Sequence, residues 1–210
     1  MKTVVVLGSS YGGKHRTTST MTLVSQLIPY YHRAGTRAAQ LLVQGLPEGW
    51  RTVVIDKNTH FNHLYSLPRF AILPHHGYKA FIPYTHILGP SATPKIDARH
   101  LFLHAQVTSL DLHSLTLSRA FPEHGIEDPA RTLQFDYLVY AAGSQLPAPI
   151  NLWGPVDAET EKEGNQAHDG SKANALRWLE RFRAMVERAP SVLVVGGGAL
   201  GIREYTYEMP

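Results

Sequence analysis

The sequence predicts an α/β fold with a mostly parallel sheet and a small β-hairpin layer. Three observations support this prediction. Residues 4–7 are a β-branched run that ends in a glycine turn, and residues 50–56 are a second buried run that ends on an acid. Residues 36–46, between these runs, have apolar side chains at helical spacing. A strand, a helix and a second strand in this order are typical of a parallel β-α-β unit.

The elements that follow are predicted from the same periodicities. Residues 62–73 are apolar and predict a helix that ends before Pro74, with a kink at Pro68. Residues 101–110 and 114–118 predict the two strands of a hairpin, joined by the turn at 111–113.

The last third of the chain repeats the opening pattern. Residues 135–142 predict another buried strand, and residues 173–188 have apolar side chains at helical spacing. Residues 191–195 predict a strand that leads into a second glycine turn. The domains predicted from this pass are residues 1–150, a polar linker at 151–170, and the beginning of a second unit at 171–210.

Both glycine turns match the fingerprint of a Rossmann-like dinucleotide site. The first glycine permits the tight turn, the second lets the backbone approach the pyrophosphate, and the third lets the helix pack on the strand. A small serine takes the middle position of the first turn. Two matches after β-branched runs are a stronger signal than one. The positions are Gly8, Ser10 and Gly13 in the first turn, and Gly196, Gly198 and Gly201 in the second.

Asp56 is the predicted ligand of the adenosine ribose, because an acid at the end of the second strand is expected about 20 residues past the fingerprint. It lies 43 positions after Gly13, and 21 positions after it once residues 14–35 are set aside. Residues 14–35 also separate the first glycine turn from the helix that should start on it. An insertion of these residues explains both the separation and the long spacing to Asp56. Gly35 is an alternative occupant of the third glycine position if the insertion loops out.

Two origins of the insertion remain open. Codons for Gly13-Lys14 and Ala34-Gly35 can contain a splice donor and a splice acceptor, so residues 14–35 are interpreted as a retained intron. The alternative is a true surface insertion. Residues 203–210 are interpreted as a second error of the gene model.

Composition excludes several classes of protein. Lys and Arg total 20 against 17 for Asp and Glu, and with no basic block, nucleic-acid binding is not predicted. The absence of cysteine excludes disulfide reductases, and no tyrosine is followed by lysine four residues later, as short-chain dehydrogenases require. The twelve histidines form no helical zinc motif, so no metal site is predicted. No apolar run approaches the roughly 20 residues of a transmembrane helix.

The ordered motifs resemble pyridine-nucleotide-dependent flavoproteins, in particular the apoptosis-inducing-factor-like branch of fungal type that is similar to ferroptosis suppressor protein. They are the first glycine turn, TVVID, FNHLYSLPRFAILP, KAFIPY, FDYLVYAAGS and VLVVGGGALGI. The resemblance covers nearly the whole chain except residues 14–35 and roughly 203–210.

The resemblance implies that the first domain binds FAD and that residues 171–210 begin an NAD-binding Rossmann unit. Gly8, Ser10, Gly13 and Asp56 would then hold FAD, and the second glycine turn would hold NAD(P)H. Further cofactor-binding residues implied in this way are Arg69, Lys79, Val107, Ala142, Gly143 and Ser144.

The implied activity is hydride transfer from NAD(P)H to FAD and onward transfer of electrons to a quinone-like acceptor. No catalytic side chain is predicted, because the flavin carries the chemistry. The alternative is a truncated, catalytically inactive FAD-binding fragment or an artefact of the gene model. A cytoplasmic location is expected, with peripheral association with membranes, mitochondria or lipid droplets left open.

Overall fold

The computed structural model describes residues 1–9, 34–88, 98–143, 154 and 169–193. Contacts divide the chain into two compact units. The first comprises Met1–Lys57 and Thr85–Ser144, and the second comprises Asn58–Tyr84 and Gln145–Pro210. The predicted domain boundaries stay a prediction.

A four-stranded parallel sheet forms the centre of the first unit. Its strands, β1 (Lys2–Leu7), β2 (Trp50–Asp56), β5 (Leu101–His104) and β9 (Tyr137–Tyr140), stand in the order β5-β2-β1-β9. Numbered along this sheet, the order is 3-2-1-4, the beginning of the order found in doubly wound dinucleotide-binding folds. The predicted Rossmann-like α/β class is confirmed for this part of the chain.

A three-stranded antiparallel sheet covers one face of the parallel sheet. It contains β6 (Val107–Leu110), β7 (Ser114–Leu117) and β8 (Thr132–Gln134). The core of the unit joins the two sheets through a set of buried apolar residues. They are Val5, Val53, Ile55, Leu103, Ala105, Leu115, Leu117, Phe121, Ile126, Leu133 and Phe135.

The predicted hairpin is correct at its turn and wrong at its first strand. Residues 101–110 form two strands, because β5 pairs with β2 in the parallel sheet and only β6 pairs with β7. Alternation of apolar residues does not distinguish one long strand from two short ones that pair with different partners. The sheet partner is a tertiary property, so the sequence pattern did not reveal the break.

Helix α1 (Ala34–Gly45) joins β1 and β2 on the predicted pattern. It contacts β1, β2 and β9, and its small residues Ala38 and Ala39 are buried. Small side chains let a helix lie close to a sheet. The helix includes Ala34 and Gly35, two residues that the sequence analysis assigned to the insertion.

The second unit combines a two-stranded antiparallel sheet, β3 (His60–Asn62) with β4 (Phe81–Pro83), and helices α2 (Leu67–Ile72) and α3 (Lys172–Arg188). Its buried apolar cluster contains Ala71, Ala80, Phe81, Ala175 and Leu179.

The two predicted helices of this unit have different outcomes. Helix α3 confirms the prediction, with Ser171 accepting a hydrogen bond from the Asn174 amide at its start (3.2 Å). The predicted helix at 62–73 is too long. Asn62 pairs with Phe81 in the small sheet, and only Leu67–Ile72 is α-helical, with Pro68 in its first turn. Proline is tolerated in the first turn, so Pro68 lies where the helix begins and not at a kink.

Two further observations concern the end of the described chain and the membrane. Residues 191–193, the described part of the strand predicted at 191–195, are in no strand, and residues 194 and 195 lie outside the described residues. Over the described ranges, no helix combines the length and apolar character needed to cross a membrane.

Candidate functional site

The carboxyl ends of the central strands meet at one edge of the parallel sheet. The Gly8 amide donates to the carbonyl oxygen of Ile55 (2.8 Å), and the Ala141 amide donates to that of Leu7 (2.8 Å). The first glycine turn, the acid of β2 and the turn after β9 are therefore neighbours. Ligands of doubly wound folds bind outside this edge of the sheet.

Gly8 has two reasons to be glycine. Its φ is +89°, in the left-handed region that other residues rarely adopt. A Cβ at this position would also lie 2.5 Å from the carbonyl oxygen of Ala141. The first glycine of the turn thus allows β1 to pass close to the chain that leaves β9.

Gly35 permits the closest approach in the turn. A Cβ on this residue would lie 1.8 Å from the carbonyl oxygen of Gly8, so no other amino acid fits without movement of the backbone. Close packing of helix on strand is the task of the third fingerprint glycine. Gly13, the predicted third glycine, lies outside the described residues, as does Ser10. Among the described residues, Gly35 makes this close contact, and its assignment as the third fingerprint glycine stays a prediction.

Ser9 connects the turn to both of its neighbours. Its amide donates to the Asp56 carboxylate oxygen Oδ2 (2.7 Å), and its carbonyl oxygen accepts from Thr36 Oγ1 (2.7 Å). The residue is fully buried, and none of the described residues forms a hydrogen bond with its Oγ. A buried hydroxyl without a partner is unusual in proteins.

Asp56 is buried, with 5% of its surface exposed, at the end of β2. Its carboxylate reaches the glycine turn through Ser9, and its carbonyl oxygen accepts from the Ala105 amide (3.0 Å). The geometry therefore brings the predicted ribose ligand and the predicted phosphate turn together. Val107 lies two residues beyond Ala105, half-buried as the first residue of β6.

The turn after β9 includes Ala142 and Gly143. The Ala142 Cα would lie 2.7 Å from a Cβ on Gly8, and Gly143 has a φ of +73°. Both residues are therefore at the same edge as Asp56. Ser144, the third predicted residue of this turn, is outside the described residues.

The two predicted basic residues belong to the second unit. Arg69 is exposed in helix α2, and Lys79 is exposed in a 3-10 turn, where its Nζ lies 5.7 Å from the centre of the Tyr78 ring. The second fingerprint, Gly196, Gly198 and Gly201, lies outside the described residues. Each of these assignments remains a prediction.

Sequence reasoning missed Ser9 and Thr36. Neither occupies a fingerprint position, and Thr36 follows Ser9 by 27 positions. A signal was nevertheless present, because Gly35 and Thr36 come shortly before the small residues Ala38 and Ala39 of the same helix. A search for the third glycine that starts from these alanines finds Gly35, whereas a search that starts from β1 finds Gly13. In the described ranges, no three His, Asp or Glu residues gather as metal ligands.

Two curated proteins of one organism are similar to this chain over most of its length. The chain is 31% identical over 149 residues to apoptosis-inducing factor homolog B from Dictyostelium discoideum, an alignment that covers 71% of this chain and 30% of that protein. The chain is similar to apoptosis-inducing factor homologs over most of its length. Homolog A from the same organism is 29% identical over 167 residues, which cover 80% of this chain and 32% of the homolog.

Two other comparisons extend over more of the chain. Fe-regulated protein 8 from Mycosarcoma maydis is 39% identical over 204 residues, which are 96% of this chain and 43% of that protein. The chain thus spans less than half the length of the curated relatives it matches. The sulfide:quinone oxidoreductase of Aquifex aeolicus superposes with a TM-score of 0.46 and 17% identity, over 90% of this chain and 33% of that chain. No family model matches the chain.

Proposed function

We propose that the chain carries the FAD-binding part of a flavin-dependent NAD(P)H oxidoreductase. The observation that carries the proposal is the joined arrangement of Gly8, Ser9, Gly35 and Asp56. It combines a turn without side-chain bulk, a close helix, and a buried carboxylate bonded to the turn. These are the three requirements of a site for the ADP part of a dinucleotide.

The residues fit FAD at this edge of the sheet. Gly8 and Gly35 let the end of β1, the start of α1 and the chain after β9 pack backbone against backbone, and the first described turn of α1 would supply backbone N–H groups to the pyrophosphate. The Asp56 carboxylate accepts a bond from the Ser9 amide at this edge, and it is the group that would accept hydrogen bonds from ribose hydroxyls. When bound, FAD would supply the hydride and electron-transfer chemistry.

The similarity to apoptosis-inducing factor homologs supports the class of flavin-dependent oxidoreductases. The finer parts of the proposal are NAD(P)H as the hydride donor and a quinone-like molecule as the acceptor. They rest on the resemblance of the motifs, including the second glycine turn at 196–201. The fungal type of the branch is proposed on the same basis.

Titration of the purified chain with FAD tests the proposal. We expect one FAD per chain, competition by ADP, and no binding of FMN, because FMN lacks the ADP part that the turn would hold. Binding of FMN in preference to FAD would overturn the assignment of the turn, and absence of binding to either would overturn the FAD site.

Anaerobic addition of NADH to the FAD-loaded chain then tests the oxidoreductase activity. Loss of the visible absorption of oxidised flavin is the expected result, and re-oxidation by a soluble quinone tests the acceptor. Bound FAD that NADH does not reduce would contradict the hydride-transfer part and leave a binding fragment.

A further inference from the structure

The hydroxyl of Thr36 has an unusual partner for a threonine in the first turn of a helix. A threonine hydroxyl within a helix commonly donates to a carbonyl oxygen one turn earlier in the same helix. Thr36 Oγ1 instead donates to the carbonyl oxygen of Ser9, which is 27 positions away (2.7 Å). The bond therefore ties α1 to the end of β1 and does not cap the helix.

The bond from Thr36 to Ser9 lies beside the contact between Gly35 and Gly8 and adds a hydrogen bond to it. Gly35 allows the helix to reach the Gly8 carbonyl oxygen, but a contact without a side chain does not fix how the helix is rotated about its axis. A hydrogen bond is directional. Thr36 follows Gly35 immediately, so its bond to Ser9 adds a directional constraint on the turn from which backbone N–H groups would face a phosphate.

Ser9, whose carbonyl oxygen accepts the bond from Thr36, is also bonded to Asp56. The Ser9 amide is bonded to the Asp56 carboxylate and the Ser9 carbonyl to Thr36, so one peptide segment has a partner on each side. Asp56 would bind the ribose and the first turn of α1 would bind the pyrophosphate. Ser9 thus links the two parts of the site through its backbone amide and carbonyl groups.

We propose that Thr36 is a positioning residue of the dinucleotide site, which holds the first turn of α1 in register with Ser9 so that its N–H groups bind the pyrophosphate. This inference rests on the proposed function. It concerns the phosphate part of the ligand only, because Thr36 makes no described contact with the ribose ligand Asp56. Removal of the hydroxyl should therefore affect ligands with phosphates and spare those without.

The variant Thr36→Val keeps the shape of the side chain and removes the hydroxyl. We expect the affinity for FAD and ADP to fall roughly three- to tenfold, the value of one net hydrogen bond, and the affinity for adenosine to remain unchanged. Thr36→Ser retains the hydroxyl and should bind all three like the unsubstituted chain. Thr52→Val is the matched control, since no residue that the structure describes forms a hydrogen bond with the buried Thr52 Oγ1.

Isothermal titration with FAD, ADP and adenosine, together with the thermal unfolding midpoint of each variant, distinguishes the outcomes. If Thr36→Val does not fold, Thr36→Ala removes the same hydroxyl in a residue with higher helix propensity. Unchanged ADP affinity in a folded hydroxyl-free variant would overturn the inference and leave the FAD site intact. An equal loss for adenosine and ADP would also overturn it, because the role would then be structural. Failure of the unsubstituted chain to bind FAD or ADP would overturn the proposed function, and the inference with it.

Discussion

A Cβ on Gly35 would lie 1.8 Å from the carbonyl oxygen of Gly8. These two residues are far apart in the chain, yet they make the contact that the first and third glycines of a continuous fingerprint make over a few residues. The contact therefore brings the end of β1 and the start of α1 together.

Substitution of Gly35 tests whether this contact is required. We expect Gly35→Ala to lower the free energy of unfolding by about 1–3 kcal/mol or more, because the new methyl group meets a backbone oxygen. FAD binding should be lost as the helix moves away. Gly45→Ala in the same helix is the control, since a Cβ there meets nothing within 4 Å and should be neutral or slightly stabilising. Chemical denaturation and FAD titration measure both effects, and equal behaviour of the two variants would refute the close contact.

Asp56 is expected to serve both the stability of the turn and the binding of the ribose. Asp56→Ala leaves the buried Ser9 amide without its acceptor, which should cost about 1–3 kcal/mol of unfolding free energy. The variant should also retain less FAD. Asp111→Ala, in the exposed turn between β6 and β7, should change neither property. Flavin absorbance after gel filtration measures FAD retention. Full retention in Asp56→Ala would show that another residue binds the ribose.

Deletion of the segment between the glycines should preserve the fold. Removing residues 13–34 or 14–35 gives the same polypeptide, because a glycine remains before Thr36 in either case. Loss of the long loop should stabilise the first unit by up to about 3 kcal/mol of closure entropy. It should also strengthen FAD binding, since it restores a continuous fingerprint.

Removing one residue more provides the control for this deletion. Without residues 13–35, Gly12 precedes Thr36 directly and the spacing of the three small residues is lost. We expect that variant to bind FAD poorly. If the shorter deletion also abolishes binding, the removed residues 13–34 contribute to the site and the interpretation as an insertion is wrong. Transcript sequence across codons 13–36 tests the retained-intron origin.

His100 should be important for the stability of the parallel sheet. Its Nδ1 accepts from the buried Thr52 amide (3.0 Å), next to the pairing of β2 with β5. His100→Phe keeps a ring but offers no acceptor, so we expect a loss of about 1–3 kcal/mol. His113→Phe, at an exposed position, should change stability little. Urea denaturation measures the unfolding midpoints of the two variants. Similar midpoints would show that His100 does not stabilise the sheet in this way.

Local patterns sufficed for much of the fold. The β-branched runs at β1 and β2 and the apolar spacing in α1 and α3 predicted these elements, because burial on a sheet or helix face imposes its own periodicity. The position of Asp56 was likewise readable, since the acid directly ends a strand. Its meeting with the glycine turn followed from the parallel order of the strands.

Other features were not readable because they depend on partners distant in the chain. The split of residues 101–110 follows from pairing of β5 with β2, and Asn62 is a strand residue because Phe81 lies opposite it.

The sequence by itself determined the strand-helix-strand order, the glycine turn and the acid at the end of β2. Only the tertiary structure brought Gly35 and Thr36 to the end of β1, through the contact of Gly35 with the Gly8 backbone and the bond from Thr36 to Ser9. The physical reason is that close packing is judged by distance in space, whereas spacing in a motif is counted along the chain. A long segment between two positions alters the count and leaves the distance unchanged.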